Sequence, residues 1–188
     1  AFADTRTYVA DPRYMRTRVE DLLSEEYAAR RRALISEQAL TPEAGDPSCG
    51  GTIYLCTADE QGNMVSFIQS NYTTFGSGVA IPGTGISLQN RGGNFSLDEQ
   101  SDNCLAGGKR SYHTIIPGFL TKDGKAVGPF GVMGAFMQPQ GHVQVIVNTI
   151  DYHMNPQECL DAPRMQWIGG KHIQLEREGP AHVALGLE

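Results

Sequence analysis

Apolar positions along the chain change their period twice. Up to about residue 36 they follow a helical spacing: Val19, Leu22, Leu23 and Tyr27 fall on one face, Asp11-Pro12 supplies a helix start, and Ser24-Glu25-Glu26 a local cap or break before a second helical piece, Ala28 to Ile35. From Thr52 the period shortens to two. Ile53 to Ala58 and Met64 to Ser70 read as strands joined by a turn at Asp59 to Asn63; Ile115 to Leu120 and Ala126 to Met133 read as a second pair around Lys122-Asp123-Gly124-Lys125. After Pro139-Gln140-Gly141 the helical spacing returns, and Val143, Ile146, Val147 and Ile150 predict a core-facing helix. Asn155 can cap a short helix with Pro156 at its first position, His172 to Glu176 reads as a strand, and a helix starts at Ala181.

Two stretches interrupt this pattern. Ser36 to Gly51 has two prolines, glycines and acidic residues, the composition of an exposed linker, and it ends in Gly50-Gly51 directly before Thr52. Asn71 to Gly85 is a long glycine-rich loop, and such loops are uncommon in compact domains unless they build a site. Hairpins followed by core-facing helices predict an α+β fold, an antiparallel sheet covered by helices.

Composition narrows the function classes. With 188 residues, 40% of them hydrophobic and 19% charged, the chain suits one well-buried domain. Net charge of −6 and a pI near 5.3 argue against nucleic acid or an anionic membrane as the main partner, and Arg30-Arg31-Arg32 reads as the solvated face of a helix. No apolar run approaches the roughly 18 residues of a membrane span, and no signal-type start precedes Asp4; the compartment stays open. Cys49, Cys56, Cys104 and Cys159 match no metal spacing, and His113, His142, His153, His172 and His182 are scattered, so no metal is expected. Neither GxSxG nor a phosphate-binding GxxxxGK[ST] occurs, and no cofactor is expected.

One chemical scheme has a handle in the sequence. If the peptide bond before a threonine is cut, the hydroxyl becomes a nucleophile and the new α-amine, titrating near pH ~7.7–8.0, its base. Such a site needs a cleavable loop, a threonine opening a strand and an oxyanion donor pair. The 36–51 linker, Thr52 and the Gly134-Ala135 backbone ahead of the predicted helix are the counterparts. A threonine opening a strand also serves the strand alone, and the small residues from Gly131 to Ala135 also suit close strand–helix packing; both readings stay open.

The residues Thr52 to Asn63, Thr73-Thr74-Phe75-Gly76-Ser77-Gly78, Gly85-Ile86, Asn90, Phe95-Ser96, Gly131-x-x-Gly134, Val147-Asn148-Thr149-Ile150-Asp151-Tyr152 and Ala162-Pro163-Arg164 together resemble the small subunit of γ-glutamyltranspeptidases, and Ala1 to Pro12 resembles the end of their large subunit. The resemblance implies an N-terminal-nucleophile hydrolase, an αββα sandwich made as a precursor that cuts itself, here at Gly51–Thr52. It implies three parts: residues 1–36 as the helical end of the large subunit, 37–51 as a processing linker and 52–188 as a truncated nucleophile domain. Thr52 takes the place of nucleophile and base, Ser70 that of the hydroxyl touching the nucleophile's amine, and Gly134 with Ala135 that of a Gly-Gly oxyanion hole. A small-molecule γ-glutamyl amide, a water or amine acceptor, and the missing part of a large subunit are the implied partners.

Departures from the family pattern bear on the substrate. Ile53 replaces a second threonine; Tyr72 stands for an asparagine, Arg91 for a glutamine, Asn94 for an aspartate, and His113-Thr114 for a Ser-Ser pair that holds a carboxylate. Without the aspartate, a buried substrate ammonium lacks its charge partner. These changes and Met137-Gln138-Pro139-Gln140-Gly141-His142 are more similar to the cephalosporin acylase-like branch, which implies an acyl group without the amine, such as glutaryl, with Arg91 either meeting its carboxylate or lying on the surface. A non-catalytic homologue binding a small acid or peptide is the alternative. A piece lacking most of a large subunit is not expected to turn over substrate alone.

Overall fold

A computed structural model describes residues 2–35, 52–73 and 75–187; the expected linker 37–51, Gly51 included, lies outside the described residues. Two compact units emerge. One takes described residues from 1–46, 91–113 and 169–172, the other those from 47–90, 114–168 and 173–188.

In the first unit, α1 (Phe2–Tyr8), α2 (Val19–Leu22) and α3 (Glu25–Arg32) are joined by irregular chain. Ser24 caps α3 by accepting the Tyr27 N–H at 3.2 Å, while Glu25 and Glu26 in the first turn and three arginines in the last both favour the helix dipole. Asp11-Pro12 does not start a helix, contrary to the sequence expectation. The Asp11 carboxylate folds back onto Arg13, accepting its N–H at 3.1 Å and its guanidinium at 3.2 and 2.8 Å, a local alternative to helical bonding. A 3₁₀ turn, Arg91–Asn94, belongs to this unit as well.

The second unit opens with β1 (Thr52–Ala58), paired antiparallel to β2 (Met64–Ser70) with Thr52 opposite Ser70. Thr52 and Tyr54 point to the half-buried side and Ile53 and Leu55 to solvent, the period-two alternation of a strand with one covered face. The Asp59 carboxylate closes the turn by accepting the Asn63 N–H and side-chain amide, at 2.8 and 2.7 Å. Inside the glycine-rich loop β3 (Ala80–Ile81) pairs with β4 (Ile86–Ser87), and Asn90 closes the loop by accepting the Thr73 N–H at 3.1 Å.

β5 (Gly118–Lys122) and β6 (Lys125–Phe130) form the second hairpin. Both are shorter than the sequence pattern suggests. Pro117 has no N–H for a ladder, and the Ile116 N–H is diverted to the Gln138 side chain at 2.9 Å. α4 (Met137–Ile150) begins two residues before the expected start; Pro139 sits in its first turn, where the missing N–H costs nothing. α5 (Pro156–Asp161) carries a full capping box, Asn155 accepting from Gln157 and Glu158 while Glu158 accepts the Asn155 N–H. β7 (Met165–Gly169), which the sequence pattern did not flag, pairs with β8 (His172–Leu175), and α6 (Ala181–Leu187) follows.

The apolar stripe of α4 is not the core face expected. Val143 and Ile150 are 62% and 51% exposed, and the helix buries Gln138 and Gly141 instead. A side chain at Gly141 would sit 2.7 Å from a Val132 methyl, so its absence lets the helix close on the segment after β6. On the neighbouring face Gln140 pairs with both backbone groups of Trp167 (2.8 and 3.1 Å), and Gln144 with both of Met165 (each 2.9 Å). The four-residue step along the helix, about 6 Å, matches the two-residue step along the strand, about 6.6 Å.

Candidate active site

Thr52 opens β1, and its hydroxyl donates to Ser70 Oγ at 3.0 Å across the ladder. Ser70 Oγ also accepts the Tyr72 N–H at 2.9 Å. Three of the sequence-predicted residues are thereby joined by hydrogen bonds. Tyr72 is 8% exposed and has φ of +79°, a left-handed conformation costly for a side chain with a Cβ. Gly134 (φ +123°) and Ala135 (φ +49°) form the turn into α4, their carbonyls accepting the N–H groups of Met137 and Gln138 at 2.8 and 3.1 Å. Ala135, like Tyr72, is buried with positive φ. Of the four described non-glycine residues with positive φ, these two are site candidates, and strained backbone of this kind concentrates at functional sites.

Tyr54 ties the Thr52 strand to that turn. Its hydroxyl donates to Ser66 Oγ (2.9 Å), which donates to the Gly118 carbonyl (2.8 Å), so β1, β2 and β5 share one hydrogen-bond chain. The Tyr54 ring lies flat against Gly131, where an added Cβ would come within 2.5 Å of two ring carbons. Three residues after that contact the backbone reaches Gly134. Tyr54 and Gln138 were not singled out from sequence. Tyr54 was detectable, being two residues from Thr52 and so on the same face of the strand; Gln138, within a run read as a branch marker, carried no such signal.

Thr114 is 4% exposed in the second unit, two residues before the Ile116–Gln138 bond. His113, its partner in the predicted pair, is exposed and falls in the first unit with Arg91 and Asn94. Arg91 is 3% exposed, which removes the surface alternative for its side chain. Gly51, the other half of the predicted cleavage bond, lies outside the described residues. His142 packs against Phe130 with ring centroids 5.0 Å apart; burial pushes its pKa below the usual histidine value, and its Nε2 has no hydrogen-bond partner among the described residues. Among the described residues no group of three or more His, Cys, Asp or Glu is placed to hold a metal ion, and no helix is long and apolar enough to cross a membrane.

A family model described as gamma-glutamyltranspeptidase matches residues 1–188. The chain belongs to that family. It is 39% identical to the glutathione hydrolase-like YwrD proenzyme of Bacillus subtilis (strain 168), over 95% of this chain and 34% of that protein. It is 37% identical to the acylase ACY 1 proenzyme of Pseudomonas sp. (strain SE83), over 100% of this chain and 34% of that one. The crystal structure of cephalosporin acylase from Bacillus halodurans superposes with a TM-score of 0.92 at 62% identity, covering 99% of this chain and 34% of that chain. The chain thus spans about a third of the length of these relatives. Its fold is α+β, part of the N-terminal-nucleophile hydrolase architecture, as the motifs from Thr52 onward had implied. The family comprises hydrolases and acylases made as proenzymes.

Proposed function

We propose that the full-length protein cuts itself at Gly51–Thr52, dividing the chain into 1–51 and 52–188, and then hydrolyses or transfers the acyl group of a small amide through an acyl ester on Thr52. The hydrogen bond from the Thr52 hydroxyl to Ser70 carries this reading: a strand-opening threonine needs no hydroxyl partner, whereas a nucleophile needs its rotamer fixed. After cleavage the Thr52 α-amine takes the hydroxyl proton as Oγ attacks the amide carbonyl, and gives it to the departing amine. The oxyanion is met by the N–H groups of Gly134 and Ala135, whose positive φ values shape the turn ahead of α4, where the helix dipole favours negative charge. Water or a second amine then attacks the ester and frees Thr52.

The substituted residues favour an acyl chain ending in a carboxylate without an adjacent ammonium, such as glutaryl, over γ-glutamyl. Asn94 lacks the charge an ammonium would need, and the buried guanidinium of Arg91 suits a carboxylate. The acylase-named relatives support the same preference. Mass spectrometry of full-length wild type and Thr52→Ala tests the processing step: a cut before Thr52 in the first and none in the second is expected. Turnover of a glutaryl anilide faster than of a γ-glutamyl anilide, both lost in Thr52→Ala, is the expected activity. Absence of any Thr52-dependent turnover in processed protein would favour a non-catalytic binding role.

A further inference from the structure

Within the first unit, residues 11–16 and 98–110 are knitted together by two buried carboxylates, one from each side. Asp11, its side chain 2% exposed, accepts the Arg110 N–H at 3.1 Å while held by the Arg13 guanidinium. Asp102, its side chain 7% exposed, accepts the Arg16 N–H at 3.1 Å and pairs with the Arg16 guanidinium, which also donates to the Gln100 carbonyl. Arg13 reaches on to the Gly108 carbonyl at 3.0 Å. The Lys109 ammonium donates to the carbonyls of Asp102 and Cys104 at 2.6 and 2.9 Å and lies 4.7 Å from the centre of the Tyr14 ring. Donors and acceptors therefore run in both directions between the two segments.

These segments lie on opposite sides of Thr52 in the chain. Resting on the proposed cut at Gly51–Thr52, we propose that the 98–110 segment is the docking surface for the arm that precedes the cut, and that the Asp11 and Asp102 contacts keep this arm in place once the peptide bond no longer does. The geometry suits that task better than exposed ion pairs would. Each carboxylate accepts both a backbone N–H and a guanidinium, so undocking leaves polar groups on both partners unpaired. Hydrogen bonds from Arg13 and Arg110 hold the Asp11 carboxyl far below the usual range; for Asp102 burial acts upward, but the Arg16 hydrogen bonds and nearby Lys109 outweigh it and hold its pKa low. Both groups stay charged at neutral pH. Cutting the chain removes the tether that kept the arm at high local concentration, so the contacts must supply the attachment alone.

The test uses full-length protein with trypsin, whose sites after Arg13, Arg16 and Arg18 report on the arm, digestion being followed by mass spectrometry. In processed wild type these sites should be cut slowly; Asp11→Ala and Asp102→Ala should speed cutting at least tenfold while cuts elsewhere stay unchanged. Rates within twofold of wild type in both variants overturn the proposal. Should the variants fail to fold, hydrogen exchange of wild type alone decides. Protection of the Arg13, Arg16 and Arg110 amides kept after processing supports docking, and protection lost on processing overturns it. A wild type that never cuts before Thr52 refutes the proposed function instead, and is read separately from the arm.

Discussion

Gly131→Ala probes the link between the Thr52 strand and the turn at Gly134. Gly131 is not in the left-handed region, so alanine is tolerated by the backbone, but its Cβ would stand 2.5 Å from the Cδ2 and Cε2 atoms of Tyr54. Ordinary contact requires the ring to retreat by about 1 Å. At its far end the hydroxyl is 2.9 Å from Ser66 Oγ, and that retreat breaks the bond. Overpacking at about 1–3 kcal/mol and the lost hydrogen bond at about 1 kcal/mol give an expected destabilisation of about 2–4 kcal/mol. Denaturant unfolding of the full-length protein in a Thr52→Ala background, which removes processing as a variable, measures it. Tyr54→Val removes the ring, and Gly131→Ala on top of Tyr54→Val should then cost less than about 1 kcal/mol, a coupling of about 2 kcal/mol. Equal costs in the two backgrounds would refute the contact as the cause.

Four other outcomes follow from the same coordinates. Ser70→Ala removes the acceptor shared by the Thr52 hydroxyl and the Tyr72 N–H and should slow processing by about tenfold or more, seen as persistence of the uncut chain on a gel, with Ser70→Thr partly restoring it. His142 has a folded pKa below its unfolded value near 6.5, so it stabilises the fold fully above that value and loses stability as pH falls through it; His142→Leu should flatten the urea midpoint between about pH 7 and 5. Asp11 and Asp102 also have depressed folded pKa values, so their contribution is complete above about pH 5 and falls away below about pH 4; tryptic cutting of processed protein is unsuited to that range, and pepsin at graded pH should show the arm opening as the carboxylates protonate. Gln140→Met, nearly neutral in helix propensity, strips Trp167 of both backbone partners and should cost about 1–3 kcal/mol, with faster exchange of the Trp167 amide.

The parts legible in the sequence were those encoded by local pattern or by motif. Alternation from Thr52 to Ser70, the Asp59 turn, and the Asn155-Pro156 cap with Glu158 at the third position each depend on neighbours within a few residues, and each appears in the structure. What failed to show depended on distant partners. Asp11-Pro12 looks like a helix start until Arg110 and Arg13 claim its carboxylate. The α4 stripe looks like a core face, yet the buried positions are Gln138 and Gly141, chosen by Ile116 and Val132 from elsewhere in the chain. β7 was invisible because two glutamine side chains on α4 satisfy its backbone. At the candidate site, the motif spacing pointed to Thr52 and Ser70 and the ladder pairs them; the strain at Tyr72 and Ala135 could not be read from residues that ordinarily avoid positive φ.

The glutamines of α4 also act as a vernier. Because four residues of helix and two of strand cover nearly equal lengths, Gln140 and Gln144 engage Trp167 and Met165 together or not at all. Shifting the helix by one residue along its axis, about 1.5 Å with a turn of 100°, would carry both amides off the strand, so no intermediate position satisfies either. Position along the axis is therefore quantised, and the turn that α4 begins with, Gly134 and Ala135, is set to one tooth of that scale by contacts at residues well beyond it in sequence.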